Sequence, residues 1–265
     1  MSPIVPSAST HGAARQRRMP RLLRAATAHH RSDAADTVLA VVLTFVAGAV
    51  NAGGFLAVGQ YTSHMTGIVS SIADHLVLGT SALAAVGAVS LASFIAGAAT
   101  SALLINWGRR NTPRKQYAYP IALEALLLLA FGVLGVSTGA AHTVLPLALP
   151  LLCFLMGLQN ATITKLSGAR IRTTHLTGMV TDMGIEIGKL LYPHRDASRP
   201  AHLRVVADRK KLVILAVLVA TFLLGGIAGG LGFSVFGYGF CVPLAALLFL
   251  LACPQFLSAR RSRRL

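Results

Sequence analysis

Charge is scarce in this sequence, and negative charge scarcer still. Asp, Glu, Lys and Arg make up 12% of the residues, about half the roughly 25% of a soluble domain. Eight residues are acidic against 24 basic, and no acid precedes Asp33. Three cysteines without paired spacing do not suggest a disulfide framework. Cys153, Cys241 and Cys253 lie in or beside apolar runs and are expected to be small buried hydrophobes. Compact metal-ligand patterns such as H-E-x-x-H are missing, as are G-x-S-x-G and S-x-x-K nucleophile motifs, a P-loop and a dinucleotide fingerprint. No metal, cofactor or enzymatic activity is therefore expected, nor ATP-driven transport by this chain alone.

What is present is apolar length. Hydrophobic residues make up 54% of the chain, gathered in several runs of about 18 or more, which is the signature of membrane helices. The net charge of +16 would suggest nucleic acid in a soluble protein. Here the basic residues sit in the two tails and in loops between apolar runs, the distribution of the positive-inside rule, and no nucleic-acid role is expected.

Residues 1–36 read as a basic, disordered cytoplasmic tail. Its Arg-rich, acid-poor composition also suits a mitochondrial transit peptide; contact with anionic lipid heads is the preferred reading. Six long helices are expected, near 37–58, 81–107, 119–137, 144–163, 212–233 and 237–253. Two short segments, about 62–78 and 173–191, read as half-helices or re-entrant pieces, too short for a core of about 30 Å at 1.5 Å per residue. Residues 254–265 form a second basic cytoplasmic tail. Glu124 is expected to snorkel to Arg114 or Lys115. Gly225 with Gly229, and Gly226 with Gly230, read as packing pairs of the small-x-x-x-small type.

One phrase occurs twice. Gly48-Ala-Val-Asn51-Ala precedes Tyr61-Thr-Ser-His64-Met-Thr66-Gly67, and Gly157-Leu-Gln-Asn160-Ala precedes Arg172-Thr-Thr-His175-Leu-Thr177-Gly178. Later in each copy, Phe94-Ile-Ala-Gly97 echoes Phe222-Leu-Leu-Gly225. Internal repeats fix architecture. Each copy holds three full spans, an odd number, so the second enters the membrane in the opposite sense. The expected fold is an all-α polytopic membrane protein of about six spans in two inverted repeats, 37–137 and 144–253, each with a broken helix. Placing every basic cluster on one side puts both termini in the cytoplasm.

The doubled blocks resemble the YoaK family of bacterial multi-pass membrane proteins, over about Val38 to Ala252. The resemblance implies an inner-membrane protein and no established activity. The resemblance also implies an acid where Asn51 stands and Asn where Ile68 stands; if those positions carry ion coupling in the family, charge-based coupling is not expected of this chain.

The chemistry expected of the repeat is that of helix starts, whose free N–H groups and dipole attract anions. Thr62, Ser63, Thr173 and Thr174 are capping residue types. Thr66, Gly67, Thr177 and Gly178 would supply donors and close backbone, His64 and His175 would set charge, and Asn51 and Asn160 would brace the broken helices. Asp74, His75, Asp182 and Glu186 are candidates for proton or charge coupling. Alternatively, Asp182 and Glu186 simply pair with Arg195 or Lys189. The function expected is a secondary transporter or exporter of a small polar or anionic solute across the bacterial inner membrane. The alternative is a non-transporting membrane scaffold or sensor. The expected partners are the lipid bilayer and the solute, with a homo-oligomer compatible.

Overall fold

The computed structural model describes residues 33–137, 145–166, 176–192 and 205–261, without the side chains of 33–36, 114, 145–146 and 254–261. All regular structure among the described residues is helical. The chain forms α1 (Asp33–Val58), α2 (Met65–Val77), α3 (Ser81–Asn111), α4 (Ala118–Ser137), α5 (Leu145–Leu166), α6 (Leu176–Leu191), α7 (Arg209–Phe236) and α8 (Cys241–Arg261). Among the described residues, five segments are long and apolar enough to cross a membrane: Thr37–Val58, Ser81–Asn111, Ala118–Ser137, Leu147–Leu166 and Arg209–Cys253. The last runs 45 residues, or roughly 68 Å at 1.5 Å each, over twice a hydrocarbon core. It is interrupted at Gly237, whose φ of 54° is left-handed and open chiefly to glycine. A 3-10 turn, Gly237–Phe240, then leads into α8. At 13 and 16 residues, α2 and α6 are too short to span.

Helices α1 and α5 form the centre, each 61% buried over its most apolar window against 17% for α3. Leu39, Leu43, Val46 and Val50 of α1 join Leu152, Leu155, Met156 and Ile163 of α5 in one core. Gln159 of α5 donates from Nε2 to the Leu43 carbonyl oxygen at 2.8 Å, a buried tie between them. Outside this pair, α7 packs along α1, α3 along α5, and α8 along α4, while α2 lies on α3 and α6 on α7.

Four Phe-x-x-Gly steps set the two closest crossings. A Cβ on Gly48 would overlap the Phe222 carbonyl, and one on Gly225 would overlap the Phe45 carbonyl; these steps join α1 to α7. A Cβ on Gly97 would overlap the Phe154 carbonyl, and one on Gly157 the Phe94 carbonyl; these join α3 to α5. Small residues let backbones meet this closely in membranes, where burial of apolar surface gives helices no reason to associate. The Phe94 and Phe222 echoes thus have partners at Phe45 and Phe154, a four-fold recurrence of one step.

Two expectations are corrected. Glu124 does not snorkel: it is 2% exposed, and its Oε2 has no hydrogen-bond partner among the described residues. The residues one turn to either side, Ile121 and Leu128, are core, so this face of α4 turns into the protein and the side chain cannot reach the helix end. Cys153 and Cys241 are buried, but Cys253 is exposed on α8.

Candidate functional site

The two copies of the repeated phrase meet at one cavity of about 490 Å³. Ser63, His64, Met65 and Thr66, at the start of α2, line one side, and Leu176 and Thr177, at the start of α6, another. Phe94 and Ala98 of α3 and Asn160, Ala161, Thr164 and Lys165 of α5 complete the wall. Its volume falls within the range of small-molecule pockets, about 300–1,000 Å³.

The chain reaches this arrangement through the break after α1. Gly59, at φ 72°, ends that helix with its N–H on the Phe55 carbonyl oxygen at 2.8 Å. Asn51, two turns earlier, faces the returning chain, and its Oδ1 accepts from both the Ser63 N–H, at 3.1 Å, and the Ser63 hydroxyl, at 2.9 Å. The Ser63 hydroxyl is thereby committed to Asn51 and does not cap α2. Helix α2 begins at Met65 instead, with His64 at the N-cap and no side-chain cap bond. Of its first-turn amides, the Met65 N–H is taken by the Ser63 carbonyl oxygen at 3.2 Å, and the Ile68 N–H closes the first helical bond to the His64 carbonyl oxygen at 3.0 Å. Gly67 is occupied from above by the His64 imidazole, which a Cβ there would strike. The residue admits a ring, rather than a second backbone. Thr62 is fully buried beneath Gly54 and does not line the cavity.

On the other wall, Asn160 and Thr164 lie four apart on one face of α5, where the Thr164 hydroxyl donates to the Asn160 carbonyl oxygen at 2.7 Å. Lys165 Nζ donates to Asn106 Oδ1 of α3 at 3.2 Å. Deeper along the same crossing, Ser101 Oγ and Thr162 Oγ1 are 2.8 Å apart; the Thr162 hydroxyl also reaches the Leu158 carbonyl oxygen at 2.7 Å, which leaves Ser101 to donate to it. Among the described lining residues there is no carboxylate. These described residues offer one cation, hydroxyl, amide and imidazole groups, and apolar surface from Phe94, Met65 and Leu176. Neither Lys165 nor Thr164 was expected from the repeat, because both stand where the two copies differ. The four-residue spacing from Asn160 to Thr164 was the available signal.

Thr173, Thr174 and His175 lie outside the described residues. Gly178 is half-buried on α6, next to Thr177. Asp74, His75, Asp182 and Glu186 do not line the cavity. Asp74 is exposed on α2. The other three tie each short helix to the start of the next long one. His75 Nδ1 lies 2.8 Å from the hydroxyl of Thr80, the N-cap of α3, and that hydroxyl donates to the His75 carbonyl oxygen at 3.2 Å. Nδ1 is then the donor to Thr80. Glu186, 3% exposed, accepts the N–H of Asp208, the N-cap of α7, at 2.8 Å, and the Lys189 ammonium at 3.0 Å. Asp182 pairs with Lys211 at 3.1 Å. The Asp208 N–H first, and then Lys189, hold the Glu186 carboxyl below its ordinary pKa of 4.5, against the opposing effect of burial. Among the described residues no group of three His, Cys, Asp or Glu side chains is placed to hold a metal ion.

Helices of this length and hydropathy, packed through glycine crossings around a small cavity, define a multi-pass helical membrane protein. The chain belongs to the family described as "Protein of unknown function (DUF1275)", which it matches over residues 39–253. No curated protein and no solved structure matches it.

Proposed function

We propose that this protein is a secondary transporter or exporter of a small polar or anionic solute across the bacterial inner membrane, with both termini cytoplasmic. The observation that carries the reading is the shared cavity: His64 and Thr66 from one copy of the repeat and Asn160 and Thr177 from the other face the same space. A motif kept only to cap two interfacial helices has no reason to converge there. Substrate sites between two repeats, at the starts of broken helices, are a recurrent transporter design.

The architecture supports the same reading. The α1–α7 crossing uses Gly48 and Gly225, and the α3–α5 crossing uses Gly157 and Gly97, the aligned residues of the other copy. Exchanging α1 with α5 and α3 with α7 exchanges the two crossings, as two inverted halves require. With one span for each of α1, α3, α4, α5, α7 and α8, every basic cluster falls on one side. Glu186 and Asp182 then act as fasteners for α6, and coupling falls to the cavity.

The test is solute uptake by the full-length chain in liposomes, with substrates chosen by a ligand-stabilisation screen of the purified protein. Thr177→Ala and His64→Ala are expected to lose uptake while keeping the wild-type melting temperature. Wild-type uptake in both, or no stabilisation by any solute, would leave the scaffold or sensor reading in its place.

A further inference from the structure

We infer that the cavity is selective for small organic monoanions with an apolar body, and that Lys165 is the residue that reads their charge. The inference rests on the solute-binding reading above and specifies its substrate class.

Three observations converge. Lys165 carries the one permanent charge among the described lining residues, and its ammonium is met by a neutral amide oxygen, Asn106 Oδ1 at 3.2 Å, with no carboxylate from the described residues paired to it. A cation at the end of an apolar helix, without a counter-ion, favours an anion beside it. A single cation among the described lining residues matches a single negative charge and leaves a second one uncompensated by them. Next, the wall around that charge is largely apolar, with Phe94, Met65 and Leu176 offering surface to a hydrocarbon body. An inorganic anion would leave this surface empty. Finally, Lys165 is not needed to build the crossing. Counting from the aligned Asn51 and Asn160, the other copy has Phe55-Leu56 where this one has Thr164-Lys165. Helix α1 makes the same glycine crossing with those apolar residues in place. The ammonium thus stands in one copy alone, and it faces the cavity that both copies line.

The experiment is a binding titration of the full-length protein in nanodiscs at pH 8, with hexanoate, hexanamide, adipate and chloride as probes. Hexanoate is expected to bind at least about tenfold more tightly than hexanamide or adipate, and chloride is expected not to displace it. Lys165→Met should lose hexanoate binding by at least about tenfold while its ligand-free melting temperature stays at the wild-type value; Lys165→Arg should retain binding. Equal binding of hexanoate and hexanamide overturns the charge-reading role and leaves solute binding standing. Unchanged hexanoate binding by Lys165→Met does the same. Failure of every probe, together with every neutral metabolite in the stabilisation screen, overturns the solute-binding reading and this inference with it.

Discussion

The α1–α7 and α3–α5 crossings are built on the same backbone contact and filled with different chemistry. In both, two Phe-x-x-Gly steps bring a glycine against a phenylalanine carbonyl. One turn further on, the α3–α5 crossing has the buried Ser101–Thr162 hydroxyl pair, whereas the aligned positions at α1–α7 are Gly229 and Gly53. Gly229 lies against the Ala49 backbone and Gly53 against the Phe233 ring. Two turns on, Thr164 and Lys165 face the cavity; the aligned Phe55 stacks on Tyr61, ring centroids 4.7 Å apart. The close approach of the helices is thus common to both copies, and polarity belongs to one. A crossing can be kept by glycine alone, which leaves the positions beyond it free to diverge toward function.

Breaking the common part is expected to have the largest effect. Gly97→Ala, Gly157→Ala, Gly48→Ala and Gly225→Ala each drive a Cβ into a backbone carbonyl, which cannot rotate away as a side chain can. Each is expected to cost about 1–3 kcal/mol through overpacking, read as a lower melting temperature in detergent. Gly230→Ala, where nothing lies within 4 Å, is the control and should not fall. If only one crossing proves sensitive, the equivalence of the two is wrong.

The divergent part should separate from the fold. Replacing Thr164-Lys165 by Phe-Leu, the residues of the other copy, is expected to abolish solute binding and leave thermal unfolding unchanged. A large loss of stability would mean that Lys165 and Thr164 hold α5 in place. Smaller again is the hydroxyl pair: Ser101→Ala should cost about 0.6 kcal/mol, the mean for interhelical hydrogen bonds in a membrane protein, measured by reversible unfolding. A cost near zero would mean that Thr162, still bonded to the Leu158 carbonyl, is satisfied without its partner.

The two junctions extend the comparison, since His75–Thr80 and Glu186–Asp208 occupy aligned places in the two copies. The Glu186 carboxyl is held below its ordinary value of 4.5. A carboxyl depressed in the folded state contributes stability that is full above the unfolded pKa and is lost as pH falls through the folded one. The melting-temperature difference between wild type and Glu186→Gln should therefore be constant from neutral pH to about 5 and shrink as pH falls below 4.5. A difference that does not shrink in acid would show that the Asp208 N–H is served equally well by an amide.

Much of this architecture was legible beforehand. The end of α1 at Gly59 and the short lengths of α2 and α6 follow from residues close in sequence. Local signals suffice there, because a helix ends where backbone geometry or hydropathy changes within a turn. The same signals misplaced the start of α2, since Ser63 was drawn off by Asn51. They also misread Glu124, because the rotation of α4 about its axis depends on α8 and α5.

The sequence by itself determined that apolar helices dominate, that two are too short to span, and that one phrase is repeated. Hydropathy and repetition are properties of the chain alone. Only the tertiary structure decided that both copies of the phrase open on one space, that Lys165 and Thr164 join them there, and that Glu186 and His75 serve as fasteners. Each of these depends on which helix lies beside which, and in a membrane that choice is made by glycine-to-carbonyl fit between helices far apart in the chain.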